Sequence, residues 1–462
     1  MKSTKGSLKS VKLTCRVGCT GLFLGLVISG PWAIAADKEE VAGRQGQKTY
    51  AVSMGDSYIA GEGGRWKGNS NREQSLFSWA RQADQDLTDR VKLDKRKISE
   101  IYNNTWDDEG CHRSDSAEIF GALRPSAWPD KAKAPGILRV DPEPDKAKDD
   151  AKLVDNVVNI ACSGAETKDF SQRFKGEQPQ IKQLKDLLDK RNRETLSTVF
   201  VSVGGNDLNL SGVATDCATR WFKGWLASSC QADDKVKNAV DSRIKDLKSK
   251  IMKTVGLIQG ALLDGPERSR GARIVIQSYP NPVVGQSKIR FHNFGYQRYA
   301  YCGAPFNNET LEFLRDTSKK LDDMYFEVAK EMNADSKKGA KANISFLSLR
   351  KLFDGHEVCS TDSVSAIKEQ VSAGKAEWAR YVYGASREIP LVGKIIGVKA
   401  EEVQESLHPN FYGQQALQYC ARTFLRRSEL SAGHPLPAPP LYAECVGRKG
   451  LNPEKVTVGT RS

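Results

Sequence analysis

Short continuous apolar runs alternate along this chain with longer stretches in which apolar residues recur every third or fourth position. The runs at 49–54, 157–161, 198–203, 274–276 and 344–349 have the length and composition of buried strands. Ile181, Leu184, Leu187 and Leu188 fall at helical spacing. So do Val240, Ile244, Leu247, Ile251, Val255, Ile258 and Leu262, and later Leu311, Leu314, Leu321, Met324, Val328 and Met332. Strands alternating with amphipathic helices predict a mainly parallel sheet covered on both faces, connected by right-handed crossovers. Three strands stop abruptly at small or polar residues: Gly55-Asp56-Ser57, Cys162-Ser163-Gly164-Ala165 and Gly204-Gly205-Asn206-Asp207. The carboxyl edge of such a sheet is where α/β proteins place their chemistry.

Other stretches break the alternation. The first 35 residues have a basic start (Lys2, Lys5, Lys9, Lys12, Arg16), a short apolar run at 21–28 and a small-x-small site at Ala33-Ile34-Ala35. That is the form of a cleaved export signal, too short to span a bilayer comfortably. Residues 36–48 read as a flexible lead-in, and 447–462 as a polar tail. Segments 64–110, 124–152 and 366–404 read as insertions. In the first, Trp66, Phe77, Trp79, Tyr102 and Trp106 suit packing onto the core better than lining a cleft, and the last adjoins His408.

Composition adds a compartment and removes some partners. Hydrophobic residues at 39% and charged residues at 27% fit a globular chain. Taking the leader's five positive charges from the formal +13 leaves +8, a moderately basic surface. Loose contact with anionic cell surfaces fits such a charge, whereas no segment resembles a nucleic-acid module. Of ten cysteines, Cys15 and Cys19 leave with the signal and Cys19 precedes the apolar run, so no lipid anchor is indicated. The eight that remain are even in number, which implies disulfides in an exported chain. No Cys-x-x-Cys pair suggests zinc. Spacing singles out only Cys217 and Cys230 as a local loop. A monomer secreted to the periplasm or the medium is expected.

Ser57 is the candidate nucleophile, although by itself it reads equally well as a helix cap. A serine hydroxyl needs a base, and of five histidines His408 stands out in Glu405-Ser406-Leu407-His408-Pro409-Asn410. A tetrahedral intermediate needs donors to its oxyanion. The Ser57 and Gly164 backbone N–H groups and the Asn206 side-chain amide, all at strand ends, are the candidates.

These blocks, in the order Ser57, Gly164, Asn206 and His408, resemble the SGNH hydrolase (GDSL-type lipase/esterase) family. Cys111-His112-Arg113-Ser114 and Gly355-His356-Glu357-Val358-Cys359 are similar to its secreted, disulfide-containing lipases and esterases. The resemblance spans residues 49 to 420. It implies one α/β domain over 49–446 with a three-layer α/β/α architecture and a mainly parallel, flavodoxin-like sheet. It further implies a cofactor-free, metal-free enzyme in which Ser57 forms an acyl-enzyme and His408 is base and then acid. By resemblance, Cys111 pairs with Cys162, Cys217 with Cys230, Cys302 with Cys359 and Cys420 with Cys445, while His112 and His356 are structural.

Most of the family has an aspartate three residues before the histidine, where this chain has Glu405. Either the Glu405 carboxylate or its backbone carbonyl is expected to accept from His408 Nδ1, and the carboxylate is favoured. The implied function is hydrolysis of carboxylic esters, of lipids or aryl alcohols. Removal of acetyl groups from polysaccharide is the enzymatic alternative, to be distinguished by an ester chain-length series beside an acetylated polysaccharide. A silent surface-binding protein is the non-enzymatic one, and it predicts a missing site residue.

Overall fold

The computed structural model describes residues 49–64, 110–114, 116–122, 157–222, 230, 233–291, 298, 306–335, 343–364, 371–381, 405–430 and 441–461. The expected leader and lead-in lie outside them, as do the three insertions apart from their edges and residues 371–381 of the third. Seven strands form one sheet: β1 (Thr49–Gly55), β2 (Val157–Asn159), β3 (Thr195–Ser202), β4 (Arg273–Gln277), β5 (Ile344–Lys351), β6 (Tyr442–Val446) and β7 (Thr457–Thr460), in the order β2-β1-β3-β4-β5-β6-β7. All neighbours are parallel except β6 and β7. Val52 of β1 lies opposite Val158 of β2 and Val199 of β3, and all three are fully buried, which is why these strands are apolar without alternation.

From β1 the chain crosses first to β2 on one side and then to β3 on the other. A crevice therefore opens at the carboxyl ends of β1 and β3. Helices α1 (Ser57–Ala60), α2 (Ile119–Ala122), α3 (Gln180–Lys190), α4 (Leu210–Phe222), α5 (Asp234–Asp264), α6 (Glu267–Arg270), α7 (Asn308–Asp335) and α8 (Phe411–Leu430) complete the architecture. α3, α5 and α7 pack side by side in one layer, while α8 packs with α2 in the other. The stripe read on α5 is its buried face, from Val240 to Leu262, and Asp233 caps the helix by accepting from the Lys235 and Val236 amides.

Three disulfides join Cys111 to Cys162, Cys217 to Cys230 and Cys420 to Cys445. Cys359 is also disulfide-bonded, and Cys302 lies outside the described residues. Helix α4 and strands β6 and β7 were not legible as elements. The polar tail expected over 447–462 is a correction: it folds back as β7, antiparallel to β6.

Strand β7 docks by burying Val458 and is reinforced by Arg461, the residue after it. Its guanidinium reaches Asp322 at 2.8 Å and Asp323 at 2.7 Å on α7 and lies over the Phe326 and Phe346 rings. Asp322 is buried, and losing this partner would leave its charge to the Ser348 hydroxyl and the neighbouring Arg350. Arg461→Ala is expected to lower the unfolding free energy by about 2 kcal/mol. Urea denaturation checks this; a loss within error would show that the clasp carries no weight.

Candidate active site

The end of β1 is built around a residue that has to lack Cβ. Gly55 has φ +134°, and a Cβ there would sit 1.8 Å from the Ser202 carbonyl oxygen. Gln180 of α3 bonds both the N–H and the C=O of Gly55 at 2.8 Å, fixing the strand end. Asp56 then caps α1, accepting from the Tyr58 amide at 3.3 Å, so Ser57 occupies the first helical position. Its N–H belongs to the first turn, which has no acceptor within the helix.

His408 comes from the loop before α8. Leu407 has φ +62°. Its carbonyl accepts from the Tyr58 hydroxyl at 2.7 Å, and the His408 carbonyl accepts from the Arg380 amide at 2.9 Å. Asn410 caps α8 through the Tyr412 and Gly413 amides and donates to the Glu377 carbonyl. The ring is thereby set against Ser57, with His408 Nε2 2.6 Å from Ser57 Oγ.

The partner of Nδ1 corrects the reading of Glu405. It is the Ser406 carbonyl, at 3.1 Å. The Glu405 carbonyl instead accepts the backbone N–H of His408, also at 3.1 Å. The left-handed turn at Leu407 brings the nearer carbonyl to the imidazole. A carbonyl only accepts, so Nδ1 carries the proton and Nε2 is left to accept from the Ser57 hydroxyl.

The other candidates gather at the neighbouring strand ends. Asn206 Nδ2 donates one hydrogen to the Ala165 carbonyl at 3.0 Å, leaving the second for the crevice. Gly164, next to that contact, has φ +83°. Asp207 accepts from Thr167 N at 2.9 Å and Oγ1 at 2.6 Å, tying the loop after β2 to the end of β3. Beneath, the buried Arg113 donates to the Ala161 carbonyl at 2.7 Å and to both oxygens of Glu177.

Two buried carboxylates flank Ser57. Burial pushes the Asp56 carboxyl up to about 7, against hydrogen bonds from Tyr279 and Tyr58. Tyr279 donates to Asp56 at 2.5 Å and accepts from the Gly205 amide at 3.0 Å, linking the ends of β1 and β3. Burial also acts to raise Glu62, but His112 and Ser163 hydrogen bonds and the two nearby imidazoles hold it down at about 2. Glu62 Oε1 accepts from His112 Nδ1 at 3.0 Å, and Oε2 accepts from Ser163 Oγ at 2.5 Å and lies 3.9 Å from His408 Nε2. Sequence reasoning missed Glu62, Ser163, Tyr279 and the Ser406 carbonyl. A signal for Ser163 existed: pairing Cys111 with Cys162 places the next residues, His112 and Ser163, side by side. His356 is remote, stacked 3.7 Å from Trp378 and bonded to the Ala376 and Arg448 carbonyls.

A cavity of about 150 Å³ opens beside Ser57 and His408. Leu210 and Ala214 of α4, Leu314 and Leu321 of α7, and Pro282 and Val283 form its largely apolar wall. Among the described residues, no three His, Cys, Asp or Glu side chains are grouped to hold a metal ion. No described helix is long and apolar enough to cross a membrane.

A serine bonded to an imidazole at the carboxyl edge of a parallel sheet defines a class, the α/β serine hydrolases. Within it the sequence profile of the GDSL-like lipase/acylhydrolase family matches residues 52–417, and the chain belongs to that family. Among solved structures, an extracellular lipase from Streptomyces rimosus is 16% identical, covering 82% of this chain and 99% of that one, with a TM-score of 0.38. Phospholipase A1 from Streptomyces albidoflavus NA297 is 18% identical with the same coverages and TM-score. Est24, a carbohydrate acetylesterase from Sinorhizobium meliloti, is 10% identical, covering 70% and 94%, with a TM-score of 0.25. No curated sequence matches the chain.

The Ser406 carbonyl, unlike a carboxylate, survives substitution at residue 405. Glu405→Gln is therefore expected to lower kcat less than about tenfold, measured on a soluble ester with both proteins folded. A loss on the order of 10²-fold or more would restore a triad carboxylate.

Proposed function

We propose that this protein is an exported serine hydrolase of carboxylic esters that takes an apolar acyl chain of medium length and works through an acyl-enzyme. The observation that carries the reading is a 2.6 Å Ser57–His408 hydrogen bond at the mouth of an apolar cavity. In this reading Ser57 Oγ attacks the ester carbonyl carbon while its proton moves to His408 Nε2. The Ser406 carbonyl holds Nδ1–H and so keeps the ring in the tautomer that can receive it. Negative charge develops on the carbonyl oxygen, where the Ser57 and Gly164 amides and the Asn206 amide are the donors. His408 then protonates the leaving alcohol, and water, activated by the same ring, releases the acid.

The cavity favours fatty over acetyl esters, because an acetyl group leaves most of an apolar wall wet. At about 150 Å³ it compares with an engineered apolar cavity that takes up benzene, so an acyl group of about six carbons suits it. Export fits the disulfides, which persist in oxidising compartments.

A p-nitrophenyl ester series tests the reading, run beside acetylated xylan. From acetate to hexanoate kcat/KM should rise about tenfold or more, with no acetate released from xylan. A preference for acetate together with xylan turnover would make the protein a polysaccharide deacetylase instead. A fluorophosphonate probe should label wild type at Ser57 and leave Ser57→Ala unlabelled; ester hydrolysis at the original rate in that variant would remove the assignment.

A further inference from the structure

We propose that Glu62 is a positioning residue for the Ser57–His408 pair, supplying from the Nε2 side of the imidazole the negative charge that a triad acid would supply from the Nδ1 side. This rests on the reading of Ser57 and His408 given above. As the Ser57 O–H bond breaks and the Nε2–H bond forms, His408 becomes a cation. The Ser406 carbonyl fixes its tautomer but carries no net charge to stabilise it. Glu62 Oε2 lies 3.9 Å from the nitrogen that receives the proton, and both side chains are largely shielded from water.

The surroundings of Glu62 argue for a charge rather than a spacer. Burying a carboxylate is costly, and an uncharged side chain could fill the space more cheaply. Here each oxygen is met by a donor from a different half of the site. His112 follows Cys111 and donates to Oε1, and Ser163 follows Cys162 and donates to Oε2. Cys111 O also accepts the Ser163 amide at 3.0 Å, so the disulfide holds both donors in register with the carboxylate. These donors keep Glu62 ionised. Through Ser163 the same carboxylate steadies the turn that carries Gly164, so one group organises the base and one oxyanion donor together.

Other charged and titratable groups around the ring do not offer this. Tyr58, from α1, lies with its ring tilted 4.8 Å from the imidazole, but its hydroxyl is bonded to the Leu407 carbonyl. Asp56 lies at the end of β1 and is held by Tyr279. Arg380 flanks His408 across Gly63, and Glu405 meets it through backbone. His112 faces Glu62 on the other oxygen.

The sign is definite: a nearby negative charge favours the imidazolium, so removing it makes His408 release its proton more readily. In Glu62→Gln the acidic limb of the kcat/KM against pH profile should move down by about one unit, and the plateau should fall about tenfold or more. Glu62→Asp, which keeps the charge, should hold the limb within about 0.3 units of wild type. An unmoved limb in folded Glu62→Gln overturns the proposal and leaves Glu62 a packing residue. Should thermal melts show Glu62→Gln unfolded, Glu62→Asp decides alone, and a limb displaced by about a unit overturns it. Ser57→Ala is run alongside. Activity surviving in that variant sinks the reading of the site itself, whereas an inactive Ser57→Ala with an unmoved Glu62→Gln limb sinks only the role of Glu62.

Discussion

The hydrogen bond between Ser57 and His408 joins residues 351 positions apart, and much of the fold is arranged so that it costs little to form. Ser57 is immobilised by the end of β1, where Gly55 lies against Ser202 and is held by Gln180. His408 has no strand to stand on. Its loop is fixed by Tyr58 from α1, by Arg380 in the segment before it and by Asn410 at the start of α8. Each bond removes freedom that would otherwise be lost at the moment of reaction. Tyr58 is notable because it follows the nucleophile directly and bonds the residue just before the base, so a single side chain sets the spacing of the pair.

Asp56 and Glu62 show how neighbouring buried carboxyl groups are given different charges. Both are desolvated, which favours the neutral acid. The partners of Asp56 are two tyrosine-derived donors, a hydroxyl and an amide, and its carboxyl stays near 7. Glu62 has a serine hydroxyl and two imidazoles, and stays near 2. Separate environments thus let the site hold one firmly ionised carboxylate beside one poised around neutrality, the pattern by which one fold keeps acid and base forms side by side.

Much of the sheet was legible because parallel strands buried on both faces have to be apolar throughout, and the periodicity of α5 and α7 survives at lengths of 31 and 28 residues. The strand ends carrying Ser57, Gly164 and Asn206 were legible for the same reason, since an apolar run stops where the chain meets solvent and substrate. β6 and β7 were hidden because they are short and half polar: β6 alternates buried and part-exposed residues, and β7, the edge strand, buries only Val458, its docking reinforced by the charge of Arg461 just after it. Glu405 was misread because sequence spacing reports which residue is near, not which of several carbonyls a left-handed turn at Leu407 presents. Glu62 was passed over because its partners come from segments about fifty and a hundred residues away, which meet only in the folded chain, at the disulfide.

That disulfide links the chemistry to the compartment. Cys111 and Cys162 are 51 residues apart, and closing such a loop contributes roughly 4 kcal/mol on the chain-entropy model. Its local effect is more pointed than its contribution to global stability. The residues after the two cysteines are the two donors to Glu62, and Arg113, one residue further on, clamps the Ile160 and Ala161 carbonyls just before Cys162. Reduction would weaken the register of His112 and Ser163, leaving it to the Ser163–Cys111 backbone bond and the Arg113 clamp, and so loosen both the donors to Glu62 and the turn that bears Gly164. The arrangement therefore suits a compartment in which thiols are oxidised, because a covalent bond one residue from each donor supports the ionised Glu62.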